Sequence, residues 1–347
     1  ALSLADFLAE AKLAPVAPPS GGLCKAEARG LAEALYHAAE GGRTEVALDL
    51  RNLGVPWTIS TWLATLAVSV EQRKKSLTQR LLSDFSDYLI QDINLELVEE
   101  GLPLLLDIFS AARSESVLHQ VAQILATLYG SQPIPPIPSC YRSAAEAGQG
   151  APRIDPAYIN SPELSDVRFR LQGRLFYGHR IVLANASPQL KALVSQAVNH
   201  KDTVISIEDT TYEVFELVMC YLYRGELESS KRLSTPILLQ LLAAASQYGL
   251  PALIRLCSSR ITSSICLENC LEIYSYAMKL GADSSGLVAY CEAYMIQRLP
   301  AFVGQGESPS LLSDTFRKFV RSRRGAELRS GMLGVLTERL QSRLQAK

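Results

Sequence analysis

The 347-residue sequence lacks any charge imbalance: 34 Lys and Arg meet 35 Asp and Glu, for a formal net charge of −1. A chain without excess positive charge has no global electrostatic footprint for nucleic acid or an acidic membrane surface. Histidine is scarce, with four in all. No glycine-rich phosphate loop, Gly-x-Ser-x-Gly elbow or His-Glu-x-x-His pair occurs, which removes the commonest signatures of nucleotide, hydrolase and zinc-protease chemistry. Long apolar runs are missing too. The longest, Ile237 to Ala245, is broken by Gln240 and falls short of the ~18–20 residues that a membrane span needs. No secretory leader is present, and a start at Ala1 leads us to expect a fragment of a longer protein. Seven cysteines, an odd number without framework spacing, lie mostly in apolar helical stretches such as those around Cys220, Cys257 and Cys291. Reduced thiols, in cytosol or nucleus, are the expectation. The chain is not expected to be an enzyme or to hold a cofactor or metal.

What is present is apolar residue, 48% of the chain, enough for the cores of two or three domains. The most informative stretch runs from Asp166 to Arg224. Val167, Phe169 and Leu171 alternate with Arg168, Arg170 and Gln172, the period of a strand with one buried face. Gln172-Gly173 predicts a turn, and Leu175 to Tyr177 a returning strand. A short helix is predicted over Arg180 to Asn185, and Ser187 caps a second with Pro188 at its first position. Thr203 to Ile207 reads as a third strand. Thr210 and Glu213 form a capping box before a helix with little polar surface, which Gly225 ends.

This order resembles the BTB/POZ domain. The residues that carry the resemblance are Ser165-Asp166-Val167, Phe176-Tyr177-Gly178-His179-Arg180, Ala186-Ser187-Pro188 and Tyr221-Leu222-Tyr223-Arg224-Gly225. The resemblance implies an α+β interaction module without catalytic activity.

The flanking regions are helical. Ser3 to Leu13 predicts a short amphipathic helix, followed by a Pro/Gly linker to Gly22. Ala34 to Gly54 resembles one ankyrin repeat, with Ala38-Ala39-Glu40 on the inner helix, a turn at Gly42, and an outer helix from Glu45-Val46 to Gly54. Asp49 and Arg51 stand where the repeat usually has leucine, as in a repeat that closes an array. Pro56 to Tyr129 predicts helices throughout, restarted at Pro103, with a resemblance to an α-solenoid of armadillo type. Residues 131–155 form a Pro/Ser/Gly linker. After the BTB-like part, amphipathic helices resemble the BACK segment, and another helix ends the chain. The expected division is 1–22, 23–130, 131–155, 156–262 (BTB/POZ), 263–325 (BACK-like) and 326–347. The expected class is α+β, predominantly helical, with the BTB/POZ domain flanked by an N-terminal ankyrin or solenoid-like region and a C-terminal BACK-like segment. Over nearly its whole length the chain resembles the C-terminal half of ankyrin repeat and BTB/POZ domain-containing proteins, carried by segments 53–63, 81–86, 96–102 and 128–138. The alternative is the armadillo-plus-BTB group.

Candidate site residues were weighed against ordinary structural roles. His37, His119, His179 and His200 have no nucleophile to serve, and Ser187 is better used as a cap. Cys266 and Cys270 share a helix face but lack further ligands for zinc. The sequon at Asn185-Ala186-Ser187 lies inside a helical stretch. Arg317, Lys318, Arg321, Arg323, Arg324 and Arg329 form a basic patch, read first as a solvated face and second as a surface for an anionic partner. The resemblance places Asp166 at a dimer interface with Tyr158, Ile159 and Leu164, and puts Asp166, His179 and Arg180 in one structural cluster. It offers Leu193, Val194, Val198 and Tyr221 as contacts for cullin-3. Protein partners and a homo-oligomer are thus expected, with no membrane and no nucleic acid. Two functions stay open: a substrate adaptor for a cullin-3 ubiquitin ligase, and a scaffold without a ubiquitin link. The hydrophobic-x-Glu pattern of BTB domains that hold cullin-3 is incomplete here, because Gln196 and His200 stand two places after Val194 and Val198.

Overall fold

A computed structural model of the chain describes residues 25–85, 93–137, 154–195, 204–227, 233–304 and 311–345. The expected helix at Ser3–Leu13 and its linker lie outside the described residues, as do most of the 131–155 linker, Val198 and His200. The fold is α+β and predominantly helical. It divides into two compact units: Ala1–Gln132 together with Glu292–Lys347, and Pro133–Cys291.

The first unit opens with α1 (Lys25–Glu40) and α2 (Thr44–Asn52). Gly42, at φ +68°, makes the turn between them, a conformation that costs glycine nothing. Thr58 caps α3 (Ile59–Glu71) in a reciprocal arrangement with Thr61. Trp62 is fully buried on α3, and its indole N–H donates to the carbonyl of Leu81 on α4 (Lys75–Ser83) at 2.8 Å. Trp57 reaches the Asp84 carboxylate at the end of the same helix, at 3.2 Å. Pro103 cannot donate to the preceding turn. The chain answers with a π turn, Leu97–Gly101, leading into α5 (Leu102–Ala111). Gly101 fits closely there: a β-carbon would lie 2.8 Å from a terminal methyl of Leu97 and 3.0 Å from one of Leu63 on α3, so those side chains would have to shift. The helix α6 (Glu115–Tyr129) follows.

The second unit is built on one sheet. β1 (Val167–Leu171) and β2 (Arg174–Gly178) form a hairpin with Leu171 opposite Arg174. Both loop residues, Gln172 and Gly173, have positive φ (51° and 78°), as a two-residue hairpin of type I′ demands. The chain then crosses over through α7 (Arg180–Ala186) and α8 (Pro188–Ser195), and β3 (Val204–Ile207) pairs parallel to β1, giving the order β2-β1-β3. Ser187 accepts the Leu190 N–H at 3.1 Å and so caps α8. Its hydroxyl also donates to the Tyr248 carbonyl at 2.6 Å.

The buried helix α9 (Tyr212–Arg224) starts one residue later than its capping pattern suggests. Thr211, not Thr210, accepts from the Val214 N–H, while Thr210 turns inward against the Tyr248 hydroxyl. The shift lets Phe215, Val218 and Met219 share the buried side. Gly225, left-handed at φ +75°, ends the helix. α10 (Thr235–Gln247), α11 (Pro251–Thr262) and α12 (Cys270–Leu280) complete this unit. Ser234 holds the capping position of α10, and Thr235 is its first residue. Cys257 is fully buried in α11, and desolvation pushes its thiol up to about 12, which makes it unreactive.

The remaining helices are α13 (Ser285–Gln297), α14 (Leu299–Val303), α15 (Leu311–Arg321) and α16 (Arg323–Gln345). The division between units falls inside α13, and everything from Glu292 on belongs with the N-terminal helices. The reason is an apolar stripe on α16, Leu328, Met332, Leu336 and Leu340, buried where α16 packs on α5 and α6. α14 packs on α6, and Phe316 lies 5.0 Å from Phe302 and 6.5 Å from Phe109 by ring centroid.

Arginines finish the closure by binding carbonyls left open at helix ends. Arg343 donates to Leu128 at 2.9 Å, and Arg339 donates to Tyr129 at 3.3 Å and to the Gln132 side chain at 2.6 Å. Arg321 donates to Ala112 at 3.0 Å, and Arg317 binds both the Val303 carbonyl and the Glu115 carboxylate. Arg329 reaches Val320 at 2.9 Å. A cation at the negative end of a helix is favourable, and each open carbonyl gains a donor. Half of the basic patch, Arg317, Arg321 and Arg329, thus binds helix ends of its own unit.

Both tryptophans lie in this unit, so indole fluorescence reports its unfolding alone. The double change Arg339→Ala, Arg343→Ala leaves the end of α6 without its donors. In a urea titration it is expected to lose about 1–3 kcal/mol. An unchanged midpoint would show these bonds to be ornamental.

Candidate protein-interaction surface

The segment before β1 and the start of α7 form one hydrogen-bonded knot. Asp166 is exposed, and its carboxylate accepts the main-chain N–H of Arg180 at 2.7 Å, at the start of α7. Its own N–H extends the hairpin ladder to Gly178, at 3.2 Å. His179, one residue on, sits between two partners. Nε2 lies 3.3 Å from the Glu163 carbonyl and Nδ1 2.7 Å from the Tyr223 hydroxyl. A carbonyl only accepts, so Nε2 donates to Glu163, and in that tautomer of the imidazole Nδ1 accepts from the tyrosine. The ring of Tyr158 meets the imidazole edge-on at 6.0 Å. The three residues grouped from sequence therefore join in two ways: Asp166 meets Arg180 through the backbone, and His179 turns to Tyr223.

Asn160 was not foreseen. At φ 54° it accepts the Tyr177 N–H at 3.0 Å and donates to the Tyr212 hydroxyl at 2.8 Å. It thus pins the incoming segment to the edge of β2 and to α9. Tyr212 is also stacked under the Arg174 guanidinium, 3.7 Å from the ring centroid. The available signal was the residue type itself, since asparagine tolerates the left-handed region and binds nearby backbone.

Around this knot stand apolar side chains with little cover. Leu164 is 75% exposed and held at φ +58°, a conformation leucine rarely adopts. Ile181, next to Arg180, is 77% exposed, and nothing in the sequence pattern had singled it out. Tyr158 and Ile159 are half-buried.

The expected cullin contacts fare differently. Val194 is only 3% exposed and is removed from the surface, because on α8 it follows buried Leu190 by one turn and faces the core with it. Leu193 and Tyr221 are half-buried, and Val198 is outside the described residues. Cys266 accepts the Cys270 N–H through its carbonyl, and Cys270 is buried. Among the described residues no group of three or more His, Cys, Asp or Glu is placed to hold a metal ion, and no helix is long and apolar enough to cross a membrane.

Comparison with known proteins agrees with this geometry. Residues 157–265 match the BTB/POZ domain family, and the chain carries that domain. It is 32% identical over 187 residues to the ARM repeat protein interacting with ABF2 of Arabidopsis thaliana, covering 54% of this chain and 25% of the relative. Armadillo BTB Arabidopsis protein 1, from the same plant, is 32% identical over 181 residues, 52% of this chain and 22% of the relative. Kelch-like protein 40 of Xenopus laevis is 29% identical over 116 residues, 33% of this chain and 18% of the relative. The chain thus spans a quarter or less of the length of these relatives. The first two bear armadillo rather than ankyrin repeats in their names.

Tyr223 offers a titration test of the knot. Burial, aided by the Asp166 charge and partly offset by a hydrogen bond from the His179 main chain, pushes its phenol up to about 12 from 10.0. A raised acid favours the folded state below the unfolded value, and that contribution fades as pH rises through the folded one. Stability should therefore fall between about pH 10 and 12, with burial of Tyr248 and Tyr276 acting in the same direction. Tyr223→Phe is expected to make the decline shallower in denaturant titrations across that range, and an identical slope would remove Tyr223 from the account.

Proposed function

We propose that the chain is a non-enzymatic interaction protein whose BTB/POZ domain self-associates and whose helical region presents a second partner. The observation that carries this is the pair Leu164 and Ile181, large apolar side chains three-quarters exposed beside a rigid hydrogen-bonded knot. Exposed apolar surface of this kind marks contact sites. A left-handed leucine is strain that an interface would use. Two-fold self-association would bring the same patch of two copies together. The α1–α2 pair with its turn at Gly42 supports reading the N-terminal region as the end of a repeat array of ankyrin type, and the armadillo relatives support a helical repeat more generally. Reduced buried thiols fit a cytoplasmic or nuclear setting.

Within this class we favour an adaptor for a cullin-3 ubiquitin ligase, supported by the BTB/POZ match and by the Kelch-like relative. A scaffold that clusters partners is the second reading. It is favoured by the missing glutamate after Val194 and Val198 and by the burial of Val194.

Two measurements decide these points. By light scattering at tens of micromolar the chain is expected to have the mass of a dimer, and Leu164→Asp with Ile181→Asp to return it to a monomer; a monomeric wild type ends the self-association reading. Loss of one charge-assisted bond weakens binding about ten- to a hundredfold. Calorimetry against the cullin-3 N-terminal domain is therefore expected to give micromolar affinity at best. Nanomolar binding would restore a full-strength adaptor, and no heat at about 50 μM, on the order of −6 kcal/mol, would favour the scaffold.

A further inference from the structure

Helix ends of the first unit take up Arg317, Arg321 and Arg329, which leaves Lys318, Arg323 and Arg324 of the basic patch, all exposed. Arg321 ties these to a further cation. Its guanidinium donates to the Ala112 carbonyl at 3.0 Å, so the end of α15 lies against the turn between α5 and α6, where Arg113 is also exposed. Among the described residues none of Arg113, Lys318, Arg323 and Arg324 is in an ion pair. Acids close by are few. Arg317 takes Glu115 at 2.8 Å. Asp314, one turn before Lys318, is half-buried, and Glu327, one turn after Arg323, is exposed. Neither closes an ion pair among the described residues. Arg323 and Arg324 also open α16, whose first turn holds no acid. Cations are disfavoured at the positive end of a helix. Ser322 accepts the Gly325 N–H at 3.3 Å, so the start of α16 is capped without either arginine. Within the unit this placement is unfavourable, and a bound anion would reverse the sign of both the dipole effect and the mutual repulsion.

We infer that this patch, Arg113, Lys318, Arg321, Arg323 and Arg324, binds an acidic run of a partner protein, several aspartates or glutamates in sequence. The inference gives a chemistry to the second partner proposed for the helical region and rests on that part of the reading only. Charge complementarity selects the occupant. Four of the five cations are arginine, which takes a carboxylate in two parallel bonds. They are spread over α15, α16 and the turn before α6, so a run of carboxylates meets more of them than one compact anion does. Among the described residues no large apolar side chain stands exposed in the patch. A membrane surface therefore has nothing to bury there, and nucleic-acid bases have nothing to stack on. The chain's net charge of −1 also gives a long polyanion no wider basic field to follow.

The test is fluorescence anisotropy on the full chain with a fluorescein-labelled Glu-Asp-Glu-Asp-Glu-Asp peptide. A labelled single-stranded oligonucleotide of equal charge and sedimentation with phosphatidylserine vesicles are the alternative probes. The acidic peptide is expected to bind, and to weaken markedly from about 50 mM to about 0.5 M salt. The double change Arg323→Glu, Arg324→Glu is expected to reduce affinity at least about tenfold, while Arg323→Lys, Arg324→Lys keeps part of it. Arg29→Glu, which alters an exposed cation on α1, should stay within about twofold of wild type. Arg323→Gln with Arg324→Gln removes both charges without adding acids beside Glu327. It should weaken binding while its urea midpoint, read by indole fluorescence, stays level or rises. An acidic peptide that fails to bind, an Arg323→Glu, Arg324→Glu chain that binds as wild type, a lowered midpoint for the glutamine pair, or tighter binding of the oligonucleotide or vesicles each overturns the assignment. Self-association and cullin binding are read by separate measurements on the other unit, so their failure is distinguishable from this one.

Discussion

Phe215 is the contact on which the BTB/POZ unit depends. It is fully buried on α9, with its ring 5.1 Å from Phe169 on β1 and 5.3 Å from Phe176 on β2. The two strand residues are opposite each other in the hairpin register, so one helical side chain clasps both strands at once. Such aromatic contacts add to the area they bury. Their larger consequence is positional. With hairpin and helix fixed together, Tyr212 is held for Asn160 and Arg174, and Tyr223, about three turns on, is held for His179. The knot around Asp166 and His179 is the outer edge of an aromatic core.

What the sequence made legible here was periodic. The alternation from Val167 to Leu171, the turn at Gln172-Gly173, Ser187 as a cap and Gly225 as a stop all rest on local rules, and the structure obeys them. The misses rest on contacts distant in sequence. Thr210 and Thr211 are equal candidates for a cap until the inward pull of Tyr248 on Thr210 separates them. Val194 was offered as a contact by the resemblance alone, and on α8 its register with Leu190 buries it. Asn160 joins groups 17 and 52 residues away, which no window on the sequence would contain.

The C-terminal helices teach the same lesson at larger scale. Their amphipathic pattern predicts that one face is buried, and it is, but a pattern does not name the partner. Continuation of the row after the BTB/POZ domain was the simplest expectation. Arg317, Arg321, Arg339 and Arg343 instead each reach a carbonyl or side chain that lies more than 200 residues earlier in the chain. A basic run read in isolation looks like a surface for an anion, whereas the anionic ends of helices within the same molecule are also partners for it.

One geometric detail bears on how the protein is made. The Gln297 side chain donates to the carbonyl of Gln132, so the chain leaves the first unit and re-enters it at nearly the same place. On a ribosome α1 to α6 emerge before the second unit, yet the arginines and the apolar stripe that complete their layer emerge after it. At about 5–20 residues per second the wait is roughly 10–40 s. During it the open faces of α5 and α6 are uncovered, while the unit encoded between them can already finish folding. The domain that begins first is therefore the one that closes second, and its early helices are the part of the nascent chain most in need of protection.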